Sequence, residues 1–224
     1  MGQSPAAGLG LSHVAAGDAG LSRLIEAIVA GDTATFDQLL AAHPELATTR
    51  VKVGATRAQA KDHFFSEIGH YVYAGDTALH MAAAAHAVTL AESLVAAGSD
   101  VRAANRRGAQ PLHYAVDGGP NGPRWEPGAQ SDTIGRLLDA GADPNATDKG
   151  GTTPLHRAIR NRSAAAVEVL LARGADALLP NGRGSTSWQL ANWTTGKGGS
   201  GTAAAKKQQA EILRLLESYG AVTS

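Results

Sequence analysis

Apolar residues fall at helical spacing in short, paired runs along this chain. Leu24, Ile25, Ile28 and Val29, then Phe36, Leu39 and Leu40, flank Gly31-Asp32 and predict two short antiparallel helices. The same rhythm predicts first helices over 77–85, 111–117 and 154–161 and second helices over 88–97, 131–140 and 164–172. Gly98, Gly141 and Gly174 supply the stop for each second helix. A last helix is predicted over 206–218. Residues 48–74 break the rhythm. Their middle, 56–65, predicts a helical turn or two, whereas Ile68-Gly-His-Tyr-Val-Tyr73 alternates and is aromatic and β-branched, predicting an extended run against the helices that follow. Residues 1–20, rich in Gly, Ala and Ser, have too little apolar periodicity to order alone and are expected to form a flexible leader.

The polar punctuation repeats. Gly75-Asp-Thr-Ala-Leu-His80, Gly108-Ala-Gln-Pro-Leu-His113 and Gly151-Thr-Thr-Pro-Leu-His156 restart one phrase, and Gly184-Ser-Thr-Ser-Trp-Gln189 is a degraded fourth copy. The copies begin 33, 43 and 33 residues apart, the period of stacked units that each need a neighbour to bury their apolar face. The ten extra residues of the second copy lie within 118–128, and the fourth copy has a Gly-rich loop over 195–201. Stacking is expected to bring both to one edge.

These phrases resemble the ankyrin-repeat family. The opening phrase is intact in Thr153-Pro-Leu-His-Arg-Ala158 and one residue off in Thr77-Ala-Leu-His-Met-Ala82 and Gln110-Pro-Leu-His-Tyr-Ala115. The closing phrase is Ala97-Gly-Ser-Asp100, Ala140-Gly-Ala-Asp143 and Arg173-Gly-Ala-Asp176. The resemblance covers roughly residues 21–222 and implies an all-α solenoid, an ankyrin stack of about five helix-turn-helix units with β-turn tips. As a single domain it divides into an N-terminal capping repeat at 21–47, an insertion at 48–74, full repeats at 75–107, 108–150 and 151–183, and a C-terminal capping repeat at 184–222. It further implies that His80, His113 and His156 are structural, each pinning a turn through hydrogen bonds to neighbouring loop backbone. Layers about 10 Å apart would keep the three from sharing an ion.

Composition narrows the partners. Twenty basic and twenty acidic residues cancel, so no global field recruits nucleic acid or membrane. Aromatics are scarce at 4%, and the Ala runs at 82–85, 164–166 and 203–205 suit closely approaching helices. The chain has no cysteine, hence no disulfide frame and no thiolate chemistry. With no secretory leader pattern and no long apolar run, the expected location is the cytoplasm, although the missing cysteines also suit a periplasm. Gly196-Lys-Gly-Gly-Ser-Gly201 has the spacing of a dinucleotide loop but follows a helix rather than a strand, so it reads as a loop only.

Two functional readings follow. The resemblance implies binding through the turn tips and the exposed side of the first helices, a concave strip. By register this strip contains Tyr73, Asp76, Arg106, Arg107, Asp117, Lys149, Thr152, Arg160, Asn161, Arg183, Ser185, Trp193 and Thr194. Five of these are basic and two acidic, which suits a protein partner with an acidic segment, with Tyr73 and Trp193 as anchors. The first reading is therefore a non-enzymatic interaction scaffold without cofactor, metal or catalytic residues, a monomer or a weak dimer through an incompletely capped end. In the rival reading the 48–74 insertion roofs a small-molecule or metal pocket over the first full repeat. His63, His70 and His86, which the repeat does not explain, would then bind or catalyse beside Asp62, Glu67 or Asp76. Trp125 is expected to tuck onto the stack, and Arg124, Arg162, Lys197, Lys206 and Lys207 form a second basic surface.

Overall fold

Why the first apolar pair folds is plain from its burial. In α1 (Ala19–Ala30) Leu21, Leu24, Ile25 and Ile28 face inward, and α2 (Thr33–Ala42) is capped by the Asp32 side chain, which accepts from the Thr35 amide at 3.0 Å. A 3-10 turn, Pro44–Ala47, closes the unit. The computed structural model describes residues 19–120, 125–193 and 201–222. The expected leader therefore lies outside the described residues except for Ala19 and Gly20, which are already the first turn of α1.

Each repeat then contributes a first and a second helix. These are α3 (Ala78–Ala84) and α4 (Val88–Ala96), α5 (Pro111–Ala115) and α6 (Pro127–Asp139), α7 (Pro154–Asn161) and α8 (Ala164–Ala172), α9 (Ser187–Asn192) and α10 (Ala203–Ser218). First helices form one row, with α1 against α3, α3 against α5, α5 against α7 and α7 against α9; second helices form another, from α4 through α6 and α8 to α10. One column of leucines, Leu79, Leu112 and Leu155, is almost wholly buried along the first row, and the wholly buried Ala82, Ala115 and Ala158 let those helices come close. The architecture is an all-α repeat stack.

Two boundaries depart from expectation. Helix α6 begins at Pro127, not 131, because proline presets the backbone angle of a first turn and lacks only an N–H that would have no partner there. Part of the second copy's extra length is thus helix. Helix α5 ends at Ala115, since Gly118 follows at φ +102° and the last carbonyls find side-chain donors from a neighbouring loop and from α6. His86 Nε2 and Gln130 Nε2 both donate to the Ala115 and Asp117 carbonyls, at 3.0 to 3.2 Å.

The insertion folds back on the first full repeat. Val51 and Gly75 exchange hydrogen bonds with the opposite strand of chain, Val51 N–H to Asp76 O and Gly75 N–H to Val51 O, both at 2.7 Å. Gly54 lies so close to Tyr73 that an added Cβ would come within 2.6 Å of its backbone. A short hairpin follows a 3-10 turn (Lys61–His63): β1 (Phe64–Phe65) pairs antiparallel with β2 (His70–Tyr71). The helical reading of 56–65 reduces to that single turn, whereas the extended reading of 68–73 holds for the paired strand.

Candidate partner-binding groove

The turn tips are built from one device used three times. Asn105, Asp148 and Asn181 stand three residues before Gly108, Gly151 and Gly184, and each side-chain oxygen accepts from two N–H groups of its own turn at 2.8 to 3.1 Å. Each glycine has positive φ. At Gly108 a Cβ would also lie 2.8 Å from the Lys149 amide of the next tip, which itself donates to Arg107 O at 2.9 Å. Neighbouring tips are therefore held in register by backbone.

Behind each tip sits a buried imidazole. The amides of Thr77, Gln110 and Thr153 donate to Nδ1 of His80, His113 and His156 at 3.1 to 3.2 Å. That places the proton on Nε2, which donates to a carbonyl farther along the stack, Ala109 O, Thr152 O and Leu179 O at 3.0 to 3.2 Å. Burial pushes all three below the usual histidine range, and for His113 the Arg157 charge adds to it, bringing the value to about 4. Neutral rings staple repeat to repeat, the structural role expected of them.

The position after each of these rings, Met81, Tyr114 and Arg157, and after Gln189 in the fourth copy, Leu190, gives the floor its chemistry. Tyr114 donates to Asp76, both oxygens at 2.9 Å, and burial followed by the Asp76 charge pushes its phenol pKa up. Asp76 is wholly buried and also accepts from Asn105 Nδ2 at 2.8 Å and the Tyr73 amide at 2.6 Å. Arg157 bridges Asp117 at 3.2 Å and Asp148 at 3.0 Å, and its Nε has no partner among the described residues. Asp117 accepts in addition from Asn161 Nδ2 at 3.2 Å and from His70 Nε2 at 3.0 Å. His70 Nδ1 faces the Tyr71 carbonyl at 2.8 Å, so both ring nitrogens meet acceptors, the pattern of an imidazolium. Burial alone would lower the His70 pKa; the Asp117 carboxylate and the Tyr71 carbonyl outweigh it and raise the value. Asp117 is held below the usual carboxylate range because His70 and Arg157 outweigh its burial.

Above this floor runs a trough. A cavity of about 770 Å³ extends from His70 and Tyr73 to Arg160 and Asn161. A second, of about 420 Å³, continues it between the third and fourth repeats, sharing Gly150, Thr152 and Arg160.

A profile of the ankyrin repeat matches residues 74–106 and 107–149, and one for ankyrin repeats in many copies matches 137–191. The chain belongs to the ankyrin-repeat family. Among curated proteins none matches it. Ankyrin repeats generally mediate protein–protein interactions.

Set on this ankyrin stack, the strip residues divide. Arg106, Arg107, Lys149, Arg160, Arg183 and Trp193 are exposed, and all line one of the two cavities. Arg106 and Arg107 lie over the Tyr73 ring at 5.5 and 5.0 Å; Arg107 donates to the Tyr73 hydroxyl and Arg106 to Ala55 O. Asp76 has to be withdrawn from the strip. Val72 stands where later tips carry Asn105, Asp148 and Asn181, so Asp76 turns inward to hold the first tip instead. Asp117 and Asn161 sit where register puts them, but their polar atoms serve the internal network. Thr194, Arg124 and Lys197 lie outside the described residues.

Of the three histidines that the repeat does not explain, two share a cavity. His70 and His86 border a small cavity of about 180 Å³; both ring nitrogens of His70 are committed, to Asp117 and the Tyr71 carbonyl, and Nε2 of His86 donates to the Ala115 and Asp117 carbonyls. His63 is buried at the end of the 3-10 turn that leads into β1. Among the described residues no group of three or more His, Cys, Asp or Glu side chains could hold a metal. Trp125 is half-buried, with Nε1 donating to Gln130 at 2.9 Å, tucked as expected. No described helix is long and apolar enough to cross a membrane. Tyr114 and Arg157 are the residues that register alone missed. The variable letter after the repeated Leu-His pair was the signal available.

Proposed function

We propose that the trough binds an extended acidic segment of a protein partner, with Tyr73 at one end and Trp193 at the other. One observation carries this reading: the two carboxylates that line the groove, Asp117 and Asp148, are already ion-paired and its outer cations are not. Asp117 and Asp148 are held by Arg157 and His70, whereas no carboxylate of a described residue lies within 4 Å of Arg106, Arg107, Lys149, Arg160 or Arg183. In a chain of zero net charge, this leaves a local positive field above a rigid floor. Such a field steers an acidic chain into register and rejects a basic one. Backbone coupling between tips fixes the frame from which these side chains project, so the ordering cost met on binding is that of the side chains and not of the loops.

The test is affinity capture by the wild type and by a variant carrying Lys149→Glu, Arg160→Glu and Arg183→Glu, all at exposed positions. The variant is expected to melt like the wild type and to lose the wild-type partner, and the interaction of the wild type is expected to weaken as salt rises. An unchanged partner set would overturn the assignment to this groove.

A further inference from the structure

The C-terminal half of the trough differs in chemistry from the rest. Its floor is apolar, formed by Ile159, Leu190, Ala191 and Ile212, where the neighbouring floor is the ion-paired cluster around Arg157. Leu190 occupies the column that holds Tyr114 and Arg157 in the preceding copies, so the change is set by one letter of the repeat. The volume, about 420 Å³, falls in the range of specific ligand pockets. Its rim is Trp193, 61% exposed, with Arg160 and Arg183 beside it and no carboxylate paired to either. An indole this exposed at the mouth of an apolar pocket leaves its largest hydrophobic surface wet. The segment that follows Trp193, residues 194–200, has no acidic and no large apolar side chain and carries Lys197, so its chemistry does not match either the floor or the rim.

We infer that the partner's acidic segment carries one large apolar residue, leucine, isoleucine, methionine or phenylalanine, with carboxylates on both sides, and that this residue fills the pocket between the third and fourth repeats. This rests on the acidic-segment reading above and sharpens it. The flanking carboxylates meet Arg160 and Arg183, and Trp193 closes over the apolar side chain. The groove thereby selects a pattern, acid-apolar-acid, instead of charge alone; an acidic run without the anchor makes only the solvent-exposed ion pairs, which are individually weak.

The probe is a mixture of synthetic heptapeptides with three acidic residues on each side of one variable central position, passed over the immobilised full chain. Large apolar residues are expected to be enriched at the centre, and the leucine peptide to bind about tenfold tighter than the alanine peptide. In Trp193→Ala, a change at an exposed position, the ratio between those two peptides is expected to collapse toward one. Retention without a preference at the centre, or with a polar preference, overturns the anchor and leaves the acidic-segment reading standing. No retention of any peptide by the wild type overturns both.

Discussion

Acidifying the protein from about pH 7 to about pH 5 is expected to lower its melting temperature steeply, before most surface carboxylates are protonated. His80, His86, His113 and His156 are held below the usual histidine range, in each case chiefly by burial. In the unfolded chain they titrate near 6.5. Between that value and their folded values the unfolded state takes up protons that the folded state refuses. Stability is therefore full above about pH 6.5 and falls as the pH drops below it. For His113 alone, with a folded value of about 4, the gap from 6.5 corresponds to about 3 kcal/mol. His70 has the opposite sign. Its raised value means that its contribution is full below about 6.5 and is lost as the pH rises through the folded value, while Asp117, depressed, contributes until the acid range is reached. The hairpin at 64–71 is thus expected to loosen on the alkaline side, where the stack itself is most stable. Melting scans across pH, with amide exchange of the hairpin followed in parallel, check both signs. A melting temperature flat on acidification, or hairpin protection that rises with pH, would contradict the tautomers assigned here.

Asp117→Ala is expected to lower the free energy of unfolding by about 3 kcal/mol. The carboxylate is 25% exposed, and its loss strands two cations, His70 and Arg157, both with side chains only 13% exposed. Arg157 would retain Asp148 as its only carboxylate, with the His113 carbonyl at 3.4 Å, and His70 would keep only the Tyr71 carbonyl. The hairpin of the insertion would lose its tie to the second repeat, so it should exchange and be cleaved faster than the rest. A control is Asp139→Ala, which removes an ion pair with Arg173 at the exposed surface. That change is expected to leave the denaturation curve in place. Urea denaturation of the two variants, together with limited proteolysis, measures the difference.

The sequence made the repeat rhythm legible because a phrase that must dock on its own copies is constrained at the same places each time. Leu79, Leu112 and Leu155, and the imidazoles beside them, could be assigned roles without coordinates for that reason. Asp76 could not. Its inward turn depends on the absence of an Asx residue at position 72 and on Tyr114, 38 residues away, reaching back to it. Asp117 was placed on the right face, but its partners come from an insertion 47 residues before it and a helix 40 residues after it. No local pattern encodes those meetings. The early start of α6 was written in Glu126-Pro127, a helix-opening proline inside what looked like a loop of glycines and prolines. The apolar pocket was hidden in a degraded copy, whose Leu190 reads as a faulty repeat until the packing puts it beside Ile159 and Ile212.

The most direct test of the groove as the binding surface is amide hydrogen exchange of the full chain with and without its captured partner. Protection is expected at the tips 105–109, 148–152 and 181–185 and in α7, with the outer helices α4, α6 and α8 unchanged. Protection confined to α4, α6 and α8, with the tips exchanging as in the free chain, would contradict the account.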